Sequence, residues 1–157
     1  MDFEVDVSGE DLLNPHYTIC LADTVVKGFK FGPELVRVIN SRHGQGIYRY
    51  DVSKKGRSQL KIRLYCVIVY YLFKSLKNRG SVRLKLCRDF DGREADIKSS
   101  LEYFLKLLGY VVEDLTFGEL STESKAHHNA FLMRKDHNNK LNTYLRIRLD
   151  EIEEFLK

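Results

Sequence analysis

The middle of the chain carries a helical pattern that is apolar on nearly all sides. Its strongest repeat has one apolar residue every four positions: Leu60, Leu64, Ile68, Leu72 and Leu76. This spacing places the repeated side chains on one face of an α-helix, and the residues between them are also largely apolar. We therefore expect a central, largely buried helix that Ser58 caps and that ends at Gly80.

Strand patterns with a period of two lie on both sides of this helix. The predicted strands are residues 3–7, 17–26, 26–31, 47–52, 81–88, 110–117 and 141–148. The other predicted helices are residues 33–42, 93–108 and 122–135, with a short one from residue 150. Opening strands in a row indicate antiparallel pairing, and later strands that alternate with helices indicate parallel crossovers. The predicted class is a mixed α/β (α+β) fold with flanking helices.

We predict a single domain over residues 1–157, because no Pro-, Ser- or Gly-rich linker interrupts the chain. The most apolar run, residues 64–73, is shorter than the ~20 residues that span a bilayer. The first residues lack the apolar core of a signal peptide. The three cysteines are far apart and form no zinc-finger spacing. We expect a cytoplasmic protein with reduced thiols and no membrane partner.

Positive charge is concentrated in the middle of the chain. The net charge is only +4, yet residues 52–88 contain no acidic residue and eleven basic ones. Such a stretch attracts phosphate backbones, although a solvated basic surface is an alternative explanation. The candidates for nucleic-acid contact are Lys54, Lys55, Arg57, Lys61, Arg83, Lys85 and Arg88.

Carboxylates follow two of the predicted strands. Asp6 lies on the polar face of the first strand, and Asp89 and Asp91 come at the end of the strand that starts at Ser81. If these two strands are parallel neighbours, their carboxylates converge at one edge of the sheet. Clustered carboxylates suit Mg²⁺ or Mn²⁺, which activate phosphodiester hydrolysis.

This order of strands, helices and acids resembles the ribonuclease H-like superfamily of metal-dependent nucleases and transposases. The matching residues are Asp6 in the run DVSG, Asp89 in CRDFD and Asp136 in LMRKD. The resemblance implies a nuclease in which these three residues, with Asp91 as an auxiliary, hold one or two Mg²⁺ or Mn²⁺ ions. Many members also carry an acid on the helix before the fourth strand, which residues 58–79 lack; Asp91 or Glu94 can substitute.

Each of these residues also has a structural interpretation. Asp91 with Gly92 reads as a turn that caps the following helix, and Asp136 can simply end its own helix. His127 and His128 are adjacent on a predicted helix, so at most one of them faces the site. The Asp96–Lys98 pair mimics a restriction-nuclease motif but falls on a predicted helix. A non-catalytic nucleic-acid-binding or protein-interaction module therefore remains the alternative function.

Overall fold

One mixed sheet of five strands organises the computed structural model, which describes residues 1–157. The strands are β1 (Asp2–Ser8), β2 (Thr18–Ala22), β3 (Val26–Lys30), β4 (Ser81–Leu86) and β5 (Val111–Phe117). The helices are α1 (Pro33–Gly44), α2 (Lys54–Lys74), α3 (Glu94–Leu107), α4 (Lys125–Lys135) and α5 (Leu149–Glu153).

The strands lie in the order β3-β2-β1-β4-β5. β1, β2 and β3 pair antiparallel, whereas β4 is parallel to β1 and β5 is parallel to β4. The predicted mixed α/β class, with antiparallel opening strands, parallel later strands and flanking helices, is confirmed. Because β1 and β4 are parallel neighbours, their carboxyl ends meet at the same edge of the sheet.

The two faces of the sheet are covered by different helices. α2 packs beneath β2 and β3 and against α3, and Phe73 of α2 meets the ring of Phe3 at 5.0 Å between centroids. The prediction of a buried central helix is confirmed, since twelve residues of α2 are buried. α4 covers the other face over β1, β2 and β3 only. None of the helices has the length and apolar character needed to cross a membrane.

Several predicted boundaries are wrong. α2 begins one turn early, because the hydroxyl of Ser53 rather than Ser58 accepts the cap bond, from the N–H of Gly56. It ends at Lys74, before Gly80. Residues 47–52 form no strand; their apolar alternation reflects the burial of Tyr48. Residues 141–148 make only one bridge to the sheet, between Gly28 and Tyr144.

Candidate functional site

Asp6 is a buried carboxylate on the α4 face of β1. It lies opposite Cys20 of β2 and is only 6% exposed. Its Oδ1 accepts the backbone N–H of Val7 at 2.8 Å, and its Oδ2 lies 2.6 Å from Nδ1 of His127. Because a carboxylate only accepts, Nδ1 of His127 carries the proton in this contact and Nε2 is left free.

His127 reaches Asp6 because α4 starts above β1. Ser124 caps the helix by accepting the N–H of His127, so this histidine lies in the first turn. Small residues of α4 bring the helix close to the sheet: Ala126 packs near Ala22, and Ala130 packs on Cys20. The imidazole remains half exposed, with 51% of its side chain accessible. It therefore connects the buried acid to solvent.

Asp89 follows β4 and lies at the same edge of the sheet as Asp6. The hydroxyl of Tyr17 donates a short hydrogen bond to its Oδ2. Burial by the surrounding protein raises the pKa of Asp89, and the charges of Asp6, Asp11 and Asp91 raise it further, whereas Tyr17 opposes them. Partial burial is the largest cause of the rise, and the residue as a whole is still exposed to solvent.

Cys87 lies between these two acids. Its backbone N–H donates to the carbonyl of Val5 at 3.0 Å, which continues the β1–β4 ladder past Leu86 and sets Cys87 beside Asp6. The thiol is half buried. Burial and then the carboxylate of Asp6 raise its pKa far above neutrality, so it remains a protonated neighbour of the acids.

A cleft of about 310 Å³ opens beside Asp89, between the start of α2 and the loop that joins β1 to β2. Its charged lining residues are Glu10, Asp11, Lys54, Arg57, Lys61 and Asp89. We call it the Asp89 cleft. Lys61 pairs with Asp11 at 2.7 Å. Burial raises the pKa of Asp11, but the hydrogen bonds from Lys61 and the N–H of Leu13, with the charges of Lys61 and Arg57, together lower it overall. The α2 wall of the cleft is thus basic and the opposite wall acidic.

Two of the basic candidates lie elsewhere. Arg83 and Lys85 line a separate groove of about 520 Å³ over β4 and β5, the part of the sheet that α4 leaves uncovered. The other charged residues of this β4–β5 groove are Asp2, Glu4, Asp23, Asp114, Glu123 and Lys125. Arg83 also pairs with Asp2 and Glu113, at 3.8 and 3.4 Å. Lys55 and Arg88 are exposed and line neither the cleft nor this groove.

The structure does not bring Asp136 to the site, and the expectation that it joins Asp6 and Asp89 is corrected. α4 crosses the sheet from β1 to β3, where Met133 packs over Gly28. Asp136 follows the far end of the helix, roughly 13 Å along the axis from His127 at 1.5 Å per residue. Its carboxylate accepts from the N–H of Leu141 at 2.9 Å and the hydroxyl of Tyr144 at 2.8 Å.

The auxiliary candidates occupy the turn after β4. Asp91 is exposed beside Gly92, which has a φ of 76°, and Asp91 contributes charge but accepts no hydrogen bond. It does not cap α3, because Arg93 precedes that helix without a side-chain cap. Glu94 is the first residue of α3. Asp96 and Lys98 lie on α3 as predicted, and Asp96 pairs with Arg93 at 2.9 Å.

The donors fit a divalent cation in type, although they are not assembled as a complete set. No three His, Cys, Asp or Glu side chains are close enough together, as they stand, to hold a metal ion. Asp6 and Asp89 provide carboxylate oxygens and His127 an imidazole, a combination that suits Mn²⁺ and, through the carboxylates, Mg²⁺.

Sequence reasoning underestimated three side chains at this site. The sequence pattern does not distinguish His127 from the adjacent His128. In the structure, the direction of α4 brings His127 to Asp6. Tyr17 and Asp11 gave no signal at all: a tyrosine at the start of an apolar strand is typical of the core, and Asp11 falls in a turn. Only their contacts with Asp89 and Lys61 identify them.

Neither a scan against protein-family models nor a search of curated proteins found a match to this chain.

Proposed function

We propose that this protein is a metal-dependent nuclease that hydrolyses phosphodiester bonds at Asp6, Asp89 and His127. The observation that carries the proposal is the convergence of Asp6 and Asp89 from adjacent parallel strands, with His127 arriving from α4. The antiparallel opening strands, parallel later strands and late helix support the resemblance to the ribonuclease H-like superfamily. Asp136 is replaced by His127 in this proposal.

The residues of the chain have separate tasks in such a reaction. A bound Mg²⁺ or Mn²⁺ ion supplies activation of water and neutralisation of phosphate charge. Asp6 and Asp89 would hold the ion with their carboxylates. The free Nε2 of His127 can bind the ion or carry a proton, because Asp6 fixes the ring through Nδ1.

The Asp89 cleft supplies contacts for the rest of the substrate. Lys54, Arg57 and Lys61 lie along one wall of the same cleft as Asp89, within reach of phosphates that flank the scissile bond. Arg83 and Lys85 are left out of this role, because five acids share their groove with only one further base. The substrate backbone is therefore expected to pass the start of α2.

The test is cleavage of labelled DNA and RNA in the presence of Mg²⁺ or Mn²⁺. We expect Asp89→Asn to reduce cleavage by at least 100-fold, as loss of a carboxylate ligand should, and Asp91→Asn to remain close to wild type. Asp91 is the matched control, since it is a neighbouring acid that accepts no hydrogen bond. An inert wild-type protein, or a fully active Asp89→Asn variant, would refute the proposal.

A non-catalytic nucleic-acid-binding module is the second candidate. The observation in its favour is that no three potential ligands stand close enough together to hold a metal ion, and that α2 carries no acid. Such a module predicts binding that weakens steeply with salt, without any cleavage. Binding and cleavage measured on the same labelled strands separate the two candidates.

A further inference from the structure

A basic cavity lies at the end of β3, and the proposed function leaves it unused. Its volume is about 480 Å³, and its ionisable lining residues are His16, Lys30, His137 and Arg146. We call it the Lys30 pocket. No Asp or Glu lines it, whereas acids line both the Asp89 cleft and the β4–β5 groove. An anion that enters this pocket therefore meets no acidic side chain on its walls.

Lys30 lines the pocket with most of its hydrogen-bond donors unused. Its ammonium donates to the backbone carbonyl of Asp136 at 2.6 Å, which leaves two of its three N–H groups free. The carboxylate of Asp136 accepts instead from the N–H of Leu141 and the hydroxyl of Tyr144. The ammonium also lies 5.4 Å from the centroid of the Tyr144 ring. The positive charge of Lys30 is thus held in place without being neutralised by an ion pair.

Arg146 joins Lys30 because the segment that carries it runs along β3. The N–H of Leu145 donates to the carbonyl of Gly28 at 2.7 Å, and the N–H of Gly28 donates to the carbonyl of Thr143 at 2.8 Å. Arg146 itself is exposed, and its guanidinium pairs with no acid. A planar guanidinium that is free in this way can bind a phosphate through two parallel N–H groups.

The first turn of α1 forms another wall of the Lys30 pocket. Gly32 and Pro33 line the cavity, and no side chain caps this end of the helix. The unpaired N–H groups at the start of a helix favour a bound anion. The acid in this turn, Glu34, pairs with Arg37. The backbone therefore adds to the attraction that the two cations provide.

The register of the sheet places this pocket at the same edge as Asp6. Ser8, the last residue of β1, pairs with Thr18, and Thr18 pairs with Lys30. Two strand spacings separate β1 from β3 at this edge, which is about 10 Å in all. A nucleic-acid strand whose scissile bond lies near Asp6 therefore has neighbouring phosphates within reach of Lys30.

We propose that the Lys30 pocket binds a phosphate group of the nucleic-acid strand, one that flanks the bond to be cut, through Lys30 and Arg146. Ring N–H groups of His16 and His137 can donate to the same phosphate oxygens. This inference rests on the proposed function. It adds a second basic site, on the other side of β1 from Asp89.

The experiment measures binding of labelled DNA and RNA strands by fluorescence anisotropy over a salt series, with EDTA present so that no strand is cut. We expect Lys30→Gln/Arg146→Gln to bind more weakly and to reduce the slope of log K against log salt by about 1, the effect of losing one phosphate contact. Arg146→Gln alone breaks no contact within the fold and should show part of the same loss.

The matched control is Lys27→Gln/Arg148→Gln, which removes the same charge from the same two segments. Lys27 lies on β3 and Arg148 follows Arg146 by two residues, but neither lines the pocket. Its slope should stay close to that of the wild type. An equal reduction in the two double variants, or no reduction in Lys30→Gln/Arg146→Gln, would overturn the inference.

Inorganic phosphate is the second probe, and it identifies the source of the phosphate group. At constant pH and ionic strength, the ring protons of His16 and His137 should shift with inorganic phosphate in NMR spectra of the wild type but not of Lys30→Gln/Arg146→Gln. Such shifts without any change in the salt slope would overturn the assignment to nucleic acid and indicate a small phosphate compound instead.

Cleavage separates this inference from the proposed function. A wild type that cuts no strand, while the slope still falls in Lys30→Gln/Arg146→Gln, removes the nuclease and leaves the phosphate pocket standing. Cleavage that depends on Asp89, together with equal slopes of the two double variants, overturns the pocket alone.

Discussion

At the scale of single residues, neighbouring aspartates at one edge of the sheet have different electrostatic surroundings. Asp6 is tied to His127 and to a backbone N–H, and Asp11 is paired with Lys61. Asp89 accepts a hydrogen bond only from a neutral hydroxyl and forms no ion pair, although three basic and two further acidic residues line its cleft. A group kept in unfavourable surroundings is typical of functional sites, where binding of the missing partner relieves the cost.

The raised pKa of Asp89 leads to a prediction about stability and pH. A carboxyl whose pKa is higher in the folded protein binds more protons when folded, so wild-type stability falls as pH rises from the ordinary value of 3.8 through the raised pKa. Asp89→Asn removes this loss, and its amide oxygen still accepts from Tyr17. We expect a higher melting temperature than wild type at pH 7.

Thermal unfolding of both proteins across acidic and neutral pH checks this prediction. The advantage of Asp89→Asn should shrink as pH falls towards 3.8, where the wild-type carboxyl is itself protonated. A melting temperature below wild type at neutral pH would mean that the ionised carboxylate stabilises the fold, contrary to its raised pKa.

At the scale of elements, the close packing of α4 against the sheet places His127 in contact with Asp6. The helix crosses β1, β2 and β3, and its small side chains contact the sheet. Met133 lies over Gly28 of β3. A Cβ at position 28 would come within 2.4 Å of Sδ of Met133. Glycine is therefore required here for the approach of a helix, because any side chain would fill the space that Met133 occupies.

A larger residue at position 28 should separate α4 from the sheet. We expect Gly28→Val to lower the free energy of unfolding by about 1–3 kcal/mol, the usual cost of overpacking. Adding Met133→Ala should recover part of this loss, because the two side chains compete for one space. Urea denaturation measures both variants.

The control for this prediction is Gly44→Val, since nothing lies within 4 Å of a Cβ at position 44. It should leave the free energy of unfolding unchanged or slightly higher, because valine has a better helix propensity than glycine and no packing is disturbed. Strictly additive effects of Gly28→Val and Met133→Ala would contradict the proposed competition for space.

At the scale of the whole molecule, the fold sorts the basic residues of the middle segment into two different surroundings. Lys54, Arg57 and Lys61 share a cleft with three acids, including the candidate site residue Asp89. Arg83 and Lys85 lie in a groove where acids outnumber bases. The high positive charge of residues 52–88 therefore does not form one continuous surface.

This separation predicts which basic side chains bind nucleic acid. We expect the double variant Lys54→Gln/Arg57→Gln to weaken binding and to reduce the slope of log K against log salt by about 1–2, near 0.9 per lost duplex phosphate contact. The matched double variant Arg83→Gln/Lys85→Gln removes the same charge and should leave the slope nearly unchanged. Fluorescence anisotropy of a labelled strand over a salt series measures both, and equal losses would contradict the assignment.

Much of the fold follows from local pattern. The alternation of apolar and polar residues in 3–7 and 81–86 predicts strands, because one face of each strand is buried. The apolar residues of α2 predict a buried helix, because they cover nearly all of its faces. Boundaries were less predictable: Ser53 and Ser58 are both good caps, and only the bond to Gly56 selects Ser53. The prediction of a strand at 47–52 was wrong. Tyr48 is buried by a distant segment, where its hydroxyl donates to Glu153, and a single buried residue among polar ones resembles the alternation of a strand.

The sequence alone determined the mixed α/β class, the buried helix and the choice of Asp6 and Asp89 as candidate site residues. Hydrophobic periodicity, helix caps and the ends of strands are local properties of the chain, so they can be recognised in the sequence. Tertiary structure alone decided which late residue joins them. His127 contacts Asp6 because α4 begins above β1, and Asp89 lies at the same edge of the sheet because β1 and β4 are parallel neighbours. The direction in which a helix crosses a sheet depends on long-range packing, here on Gly28 and Met133, and it takes Asp136 away from the site that His127 enters.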